Sequence, residues 1–236
     1  MNHIFGLPAT GIRPSALWAR CGYNAGSSYG QLFLTSIYEL KPAFQSLLRP
    51  LVRRMATAGI SANGVTVTAC LLSLVLGASL FAWPGAAWPL LVLPAFLIVR
   101  MALNAIDGML AREHDQQTRL GGLLNELGDV ISDAALYLPL ALLPGLDSAL
   151  IVLIVVLGIV GEMTGVMGQV LGGKRRYDGP MGKSDRAFVF GALALWAGLG
   201  GGLEPWADWL LALVAVLSVL MIVNRARAAL AGEERA

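Results

Sequence analysis

The sequence predicts an all-α integral membrane protein: six transmembrane helices preceded by an amphipathic interfacial helix. Three observations predict it. Hydrophobic residues make up 56% of the 236-residue chain and charged residues only 14%, with a mean hydropathy of +0.68, which is too apolar for a soluble domain of this length. Apolar segments of about 20 residues recur six times, each long enough to cross roughly 30 Å of hydrocarbon at about 1.5 Å per residue. Lys and Arg gather in alternate connections, as they do in a chain that crosses a membrane repeatedly.

Residues 1–36 mix Gly, Pro, Ser and scattered aromatics without helical period. Arg13 and Arg20 are followed by no apolar core of signal-peptide type, so a loosely ordered N-terminal extension is expected there. Across 37–58 the pattern changes: Leu40, Phe44, Leu47, Leu48, Leu51 and Met55 recur at helical spacing, with Lys41, Arg49, Arg53 and Arg54 on the polar side. That is the pattern of a helix lying in the cytoplasmic interface with its cations near anionic headgroups; packing on the protein itself is compatible with it. Ser61 then offers an N-cap.

The six predicted spans are 64–83, 86–110, 120–143, 149–171, 184–203 and 206–223. They form, within 59–230, a six-helix transmembrane domain, with 231–236 as a cytoplasmic tail. The basic residues fall at Lys41 to Arg54, at Arg112 and Arg119, at Lys174, Arg175, Arg176, Lys183 and Arg186, and at Arg225, Arg227 and Arg235. The intervening connections, around Pro84, Asp147 and Glu204, carry no Lys or Arg. Both termini and the 113–119 turn are therefore read as cytoplasmic, in a membrane for which a bacterial inner membrane is expected. Cys21 and Cys70, one in the polar leader and one in an apolar span, imply neither a disulfide framework nor a zinc site. No Walker loop, soluble catalytic triad or nucleic-acid module is present to compete, and no nucleic-acid partner is expected.

Against this background the stretch from Asn104 to Asp133 puts acids where lipid should be. Asn104, Asp107, Gly108 and Ala111 share a helix face at offsets of three, four and seven. Asn125, Asp129 and Asp133 stripe the next helix at intervals of four, and the polar residues between suit a short turn joining two antiparallel helices. At about 1.5 Å per residue, Asp107 lies roughly 8 Å from Arg112, Asn104 roughly 12 Å, and Asn125 and Asp129 roughly 9 and 15 Å from Arg119; Asp133 is deeper, at roughly 21 Å. An ionised carboxylate at membrane depth costs about 2.5–3.5 kcal/mol, so Asp107, Glu126, Asp129, Asp133 and Glu162 call for a cation, a water-filled cavity or both. Pairing with Arg100 or Arg112 is the structural alternative. Glu162, alone in its span, reads equally well as a structural partner.

The stretch resembles the signature of the CDP-alcohol phosphatidyltransferases, D-x2-D-G-x2-A-R-x8-G-x3-D-x3-D. Asp107, Gly108, Ala111, Arg112, Gly121 and Asp129 stand at the second acid, the glycine, the alanine, the arginine, the second glycine and the fourth acid. The resemblance covers roughly residue 37 to the C-terminal end, and the segment from Tyr177 to Gly191 is similar to a particular bacterial subgroup. It implies transfer of a phosphatidyl or similar phosphoalcohol group from a CDP-activated lipid donor to a small alcohol or alcohol phosphate, with release of CMP, in phospholipid biosynthesis. It further implies Mg²⁺ or Mn²⁺ held by Asp107 with Asn104, Asn125 and Asp129, Asp129 as the general base, and a homodimer. Gly108, Ala111 and Gly121 would let the nucleotide approach the helix backbones, and Arg112 would meet a substrate phosphate.

The first and third acids of the pattern are here Asn104 and Asn125. An amide oxygen can ligate a hard cation but adds no negative charge. Asp133, one turn beyond Asp129, could restore one charge and joins the candidate metal ligands, whereas Glu126 points about 100° away. The basic loop is in the first place a topology signal; as a functional patch Arg175, Arg176 and Lys183 would hold an acceptor phosphate or lipid headgroups. Two other readings remain open: an ion-coupled transporter, since buried acids also mark ion pathways, and a catalytically silent relative that binds nucleotide or lipid.

Overall fold

The computed structural model describes residues 41–231. The predicted N-terminal extension, the first residues of the interfacial helix and nearly all of the predicted tail lie outside them. The described residues form α1 (Lys41–Thr57), α2 (Ala62–Ala82), α3 (Ala87–Glu113), α4 (Arg119–Tyr137), a 3₁₀ turn (Leu138–Leu142), α5 (Ser148–Val170), α6 (Lys183–Gly198) and α7 (Trp206–Ala231). No strand occurs among them. Four helices, α2, α3, α5 and α7, are long and apolar enough to cross a membrane. The protein is thus an integral membrane protein whose described residues form helices and no strands. α4 carries the acidic stripe and α6 has only 16 residues.

Four helices, α2, α4, α5 and α6, begin where a side chain satisfies one of the first backbone N–H groups. Ser61 accepts from Gly64 N at 3.1 Å, Thr118 from Gly121 N at 2.8 Å, and Asp147 from Ala149 N at 2.8 Å. At α6 the Asp185 carboxylate reaches back to Gly182 N, 2.9 Å away. The ends differ from the hydropathy boundaries for local reasons. α3 runs on to Glu113, shortly before Asp115 adopts a left-handed φ of 55°. α4 tightens into a 3₁₀ turn at Leu138, next to Pro139, which has no N–H to give. α6 stops at Gly198, before a run of three glycines, and α7 continues to Ala231 because its final Arg- and Ala-rich turns are good helix formers although no longer apolar.

Packing is built around two relationships. α2 lies against both α3 and α4, while α5 packs on α7 and α3 on α6. α3 and α4, although joined by a short turn, approach each other much less than each approaches α2. The Gly77 backbone permits the α2–α4 contact: a Cβ there would lie 2.2 Å from the Ala135 carbonyl oxygen. The larger core joins Leu93, Leu136, Ile151, Phe190 and Leu211, with Tyr137 stacked on Phe190 at 4.4 Å between ring centroids. A smaller one seats α1 on the end of the bundle, through Val52 against Val65, Ile106 and Met109. The outward faces of the long helices are apolar, including Leu71, Val75, Ile98, Val156 and Val216, as suits a surface solvated by lipid.

Candidate active site

The motif residues converge through side chains rather than by close contact of α3 with α4. Asn104, on α3, donates from Nδ2 to Oδ1 of Asp129, on α4, at 3.0 Å. The same carboxylate oxygen is met by Nζ of Lys183, from the first turn of α6, and by Arg100 Nη2 at 3.5 Å. Arg100 also binds the backbone carbonyl of Asp129 at 3.0 Å. Three helices therefore meet at one carboxylate.

Asp107 is 5% exposed and takes a different partner: its Oδ2 accepts from Thr66 Oγ1, on α2, at 2.7 Å. It lies near enough to Asp129 and Lys183 to feel the charge of each. The side chain of Asn125, half-buried one turn before Asp129, makes no hydrogen bond among the described residues. Asp133 is set apart from this group. It accepts from Arg100 Nη1 at 2.6 Å and from Arg186 Nη2 at 3.5 Å, which is the ion-paired alternative weighed above and leaves its charge already matched.

The residues expected at the substrate sort differently. The Arg112 guanidinium folds over Gly108, where a Cβ would lie 2.9 Å from Nη2. Gly121 admits Asn63 of α2, whose Oδ1 would be 2.5 Å from an added Cβ; that closeness accounts for the glycine by helix packing. Ala111 packs partly buried against the core beneath α1. Arg175 binds Glu126 at 2.5 Å and Glu162 at 3.0 Å and lies 5.0 Å over the Tyr177 ring. Burial opposes its charge, yet Glu126, Tyr177 and Glu162 hold its pKa above the ordinary guanidinium value. Arg176 is turned away, donating to the Ala228 carbonyl of α7.

Residues outside the motif complete the arrangement. Thr66 and Asn63, at helical spacing with Cys70, form a polar stripe on α2 that faces α4, where Thr66 and Cys70 lie 3.8 and 3.9 Å from a Cβ at Gly128. Their periodicity in an otherwise apolar span was the available signal. Arg186 and Arg225 read from sequence as topology charges; both are 2% exposed and reach Glu162 Oε1 at 3.4 Å.

The donor set suits a divalent cation in kind. Asn104, Asp107, Asn125 and Asp129 all offer oxygen, the ligand atom that hard cations prefer. Among the described residues no three His, Cys, Asp or Glu side chains gather as a metal cluster, which follows from amides standing at two of the four motif positions. Asn104 presents its Nδ2 to Asp129, so its oxygen becomes available when the amide turns over.

Comparison with known proteins bears on the same residues. The family model for CDP-alcohol phosphatidyltransferase matches residues 59–220. The inner membrane protein YnbA of Escherichia coli (strain K12) is 47% identical over 201 residues, covering 83% of this chain and 96% of that protein. Two crystal structures of the Mycobacterium tuberculosis phosphatidylinositol phosphate synthase PgsA1 share the fold. The one with CDP-DAG bound gives a TM-score of 0.61 at 21% identity, covering 76% of this chain and 92% of that one. The one in complex with manganese and citrate gives 0.59 at 22%, covering 76% and 87%. The family match spans well over half of the sequence and contains the whole Asn104–Asp129 constellation: the chain belongs to the CDP-alcohol phosphatidyltransferase family.

Proposed function

We propose that the protein transfers a phosphatidyl or similar phosphoalcohol group from a CDP-activated lipid, such as CDP-diacylglycerol, to a small alcohol or alcohol phosphate, releasing CMP. The observation that carries the reading is the meeting of both halves of the motif at Asp129, where Asn104 and Lys183 grip one carboxylate oxygen. The crystal structure of a fold relative with CDP-DAG bound supports the donor class.

In this reading the acceptor hydroxyl oxygen attacks the phosphorus that carries the lipid, the bond to the CMP oxygen breaks, and CMP leaves with the electron pair. Asp129 takes the hydroxyl proton. With Oδ1 engaged by Lys183 and Arg100, the proton goes to Oδ2. Thr66 holds Asp107 in place by its hydrogen bond to Oδ2, and Arg112, exposed at the end of α3, meets the diphosphate above Gly108. Mg²⁺ or Mn²⁺, held by Asp107, Asp129 and the Asn104 and Asn125 oxygens, would supply electrostatic stabilisation of charge on the diphosphate. Asp133 stays with its two arginines.

The membrane arrangement belongs to the same proposal. All of α2 to α7 cross the bilayer, with α4 extended by its 3₁₀ turn, and α1 lies in the interface. The tryptophan pairs Trp83–Trp88 and Trp196–Trp206 stand at the ends of the helices opposite the arginine-rich turns, as expected of an interfacial belt and the positive-inside rule. The site mouth and both termini then face the cytoplasm of a bacterial inner membrane, and a homodimer is the expected assembly.

The test is CMP release by the detergent-purified protein from CDP-diacylglycerol, with Mn²⁺ or Mg²⁺ and a panel of alcohols and alcohol phosphates. Metal- and acceptor-dependent CMP that disappears in Asp107→Ala carries the proposal. Binding of CDP-lipid with no turnover under any metal instead makes the protein a silent relative, a reading favoured only by the two amides in the motif.

A further inference from the structure

Three guanidinium groups from three different segments converge on one buried carboxylate. Arg175, in the loop before α6, binds Glu162 Oε2 at 3.0 Å; Arg186 of α6 and Arg225 of α7 both meet Oε1 at 3.4 Å. Glu162 is 7% exposed. Neighbouring carboxylates extend the cluster: Glu126 shares Arg175, Asp133 shares Arg186 and Arg100, and Asp129 holds Lys183. Convergent arginines are the usual protein answer to a phosphate, because planar N–H donors match its oxygens and its charge. Here the place of that anion is taken by a side chain of the protein itself.

We propose that Glu162 is a built-in anion that selects an unphosphorylated alcohol as the acceptor. This rests on the transferase reading given above. The charge balance argues for it: five cations, Arg100, Arg175, Lys183, Arg186 and Arg225, face four carboxylates in direct ion pairs, Glu126, Asp129, Asp133 and Glu162, and Asp107 adds a fifth beside Asp129 and Lys183. No surplus positive charge is left for a phosphate dianion, and a dianion placed among these arginines would leave Glu162 buried beside it without its partners, which is costly. A neutral hydroxyl compound imposes neither penalty. It also has donors to meet, since Nε of Arg175 and Nε of Arg225 are buried without an acceptor, and a hydroxyl oxygen satisfies such a donor without adding charge. The Tyr137 hydroxyl, also buried without a partner, lines the small cavity next to Asp133 and Glu162.

The test uses the full-length protein in detergent with CDP-diacylglycerol, Mn²⁺ and two matched acceptor pairs: glycerol against glycerol 3-phosphate, and inositol against inositol 1-phosphate. The expected result is a kcat/KM at least about tenfold higher for the unphosphorylated member of the pair that is used, and a shift of about tenfold toward the phosphorylated member in Glu162→Gln. A wild-type preference for a phosphorylated acceptor overturns the proposal. Calorimetric titration of glycerol 3-phosphate is run on the same samples and decides the matter even without turnover. A wild-type Kd below about 100 µM overturns the proposal, and weaker binding supports it, the more so where Glu162→Gln binds about tenfold tighter. No CMP from any acceptor counts against the transferase reading alone, because the titration still reports on Glu162. Should Glu162→Gln fail to fold, the wild-type acceptor preference and titration stand by themselves.

Discussion

Asn104 Nδ2 lies 3.0 Å from Asp129 Oδ1, so an amide donor bridges α3 and α4 at a place where an acid would have repelled its partner. This single contact makes Asp129 the junction of the candidate site, and it defines what changing either residue should do.

Asp129→Ala removes the proposed base together with the anchor of Asn104 and Lys183. Loss of a general base costs typically about 10²–10⁴ in rate, so kcat for CMP release should fall by that order while the KM for CDP-lipid moves much less. A fully active Asp129→Ala protein would end the assignment of the base.

Asn104→Asp places a second carboxylate beside Asp129 and should tighten metal binding by at least about tenfold, well within the ~4 kcal/mol available from a unit charge about 4 Å away at an effective dielectric of about 20. Titration of Mn²⁺ by electron paramagnetic resonance measures this without reliance on turnover. Unchanged or weaker Mn²⁺ binding would mean that residue 104 does not face the cation.

Arg100→Met should destabilise the protein by about 3–5 kcal/mol, since it strips a buried guanidinium from Asp133 and from the Asp129 backbone carbonyl and leaves buried charge unmatched. Arg49→Ala, which breaks an exposed pair with Glu113, should leave the unfolding temperature in detergent unchanged. Equal effects of the two would contradict the buried network.

Gly77→Ala should cost at least about 1–3 kcal/mol by overpacking, because the Ala135 backbone carbonyl, 2.2 Å from the added Cβ, cannot move without parting α2 from α4. Gly122→Ala meets nothing within 4 Å and should be neutral or stabilising by up to about 1 kcal/mol. Thermal unfolding of the two variants side by side distinguishes them; a tolerant Gly77 would mean that the α2–α4 contact is looser than described.

Helix identity was legible in the sequence because lipid demands long apolar runs and the polar exceptions stand out against them. All six predicted segments are helical, as α2 to α7, four of them long and apolar enough to cross a membrane, and the cap expected at Ser61 is present; Thr118 and Asp147 cap their helices by the same short-range chemistry. Helix ends were less legible. Those of α6 and α7 depend on a glycine run and on helix-forming but polar turns, neither of which hydropathy registers.

The sequence by itself determined the class of the protein, the order of its helices, the family and the motif side chains on the shared faces of α3 and α4, because these follow from local periodicity and fixed spacing. Only the tertiary structure decided which charges meet. It placed α2 behind α3 and α4, bringing Thr66 to Asp107, carried Lys183 from 54 positions along the chain to Asp129, and assigned Asp133 and Glu162 to arginines rather than to the motif. The physical reason is range: a helical period reports which residues share a face, whereas the partner of a buried charge is chosen by whichever distant helix packs against that face.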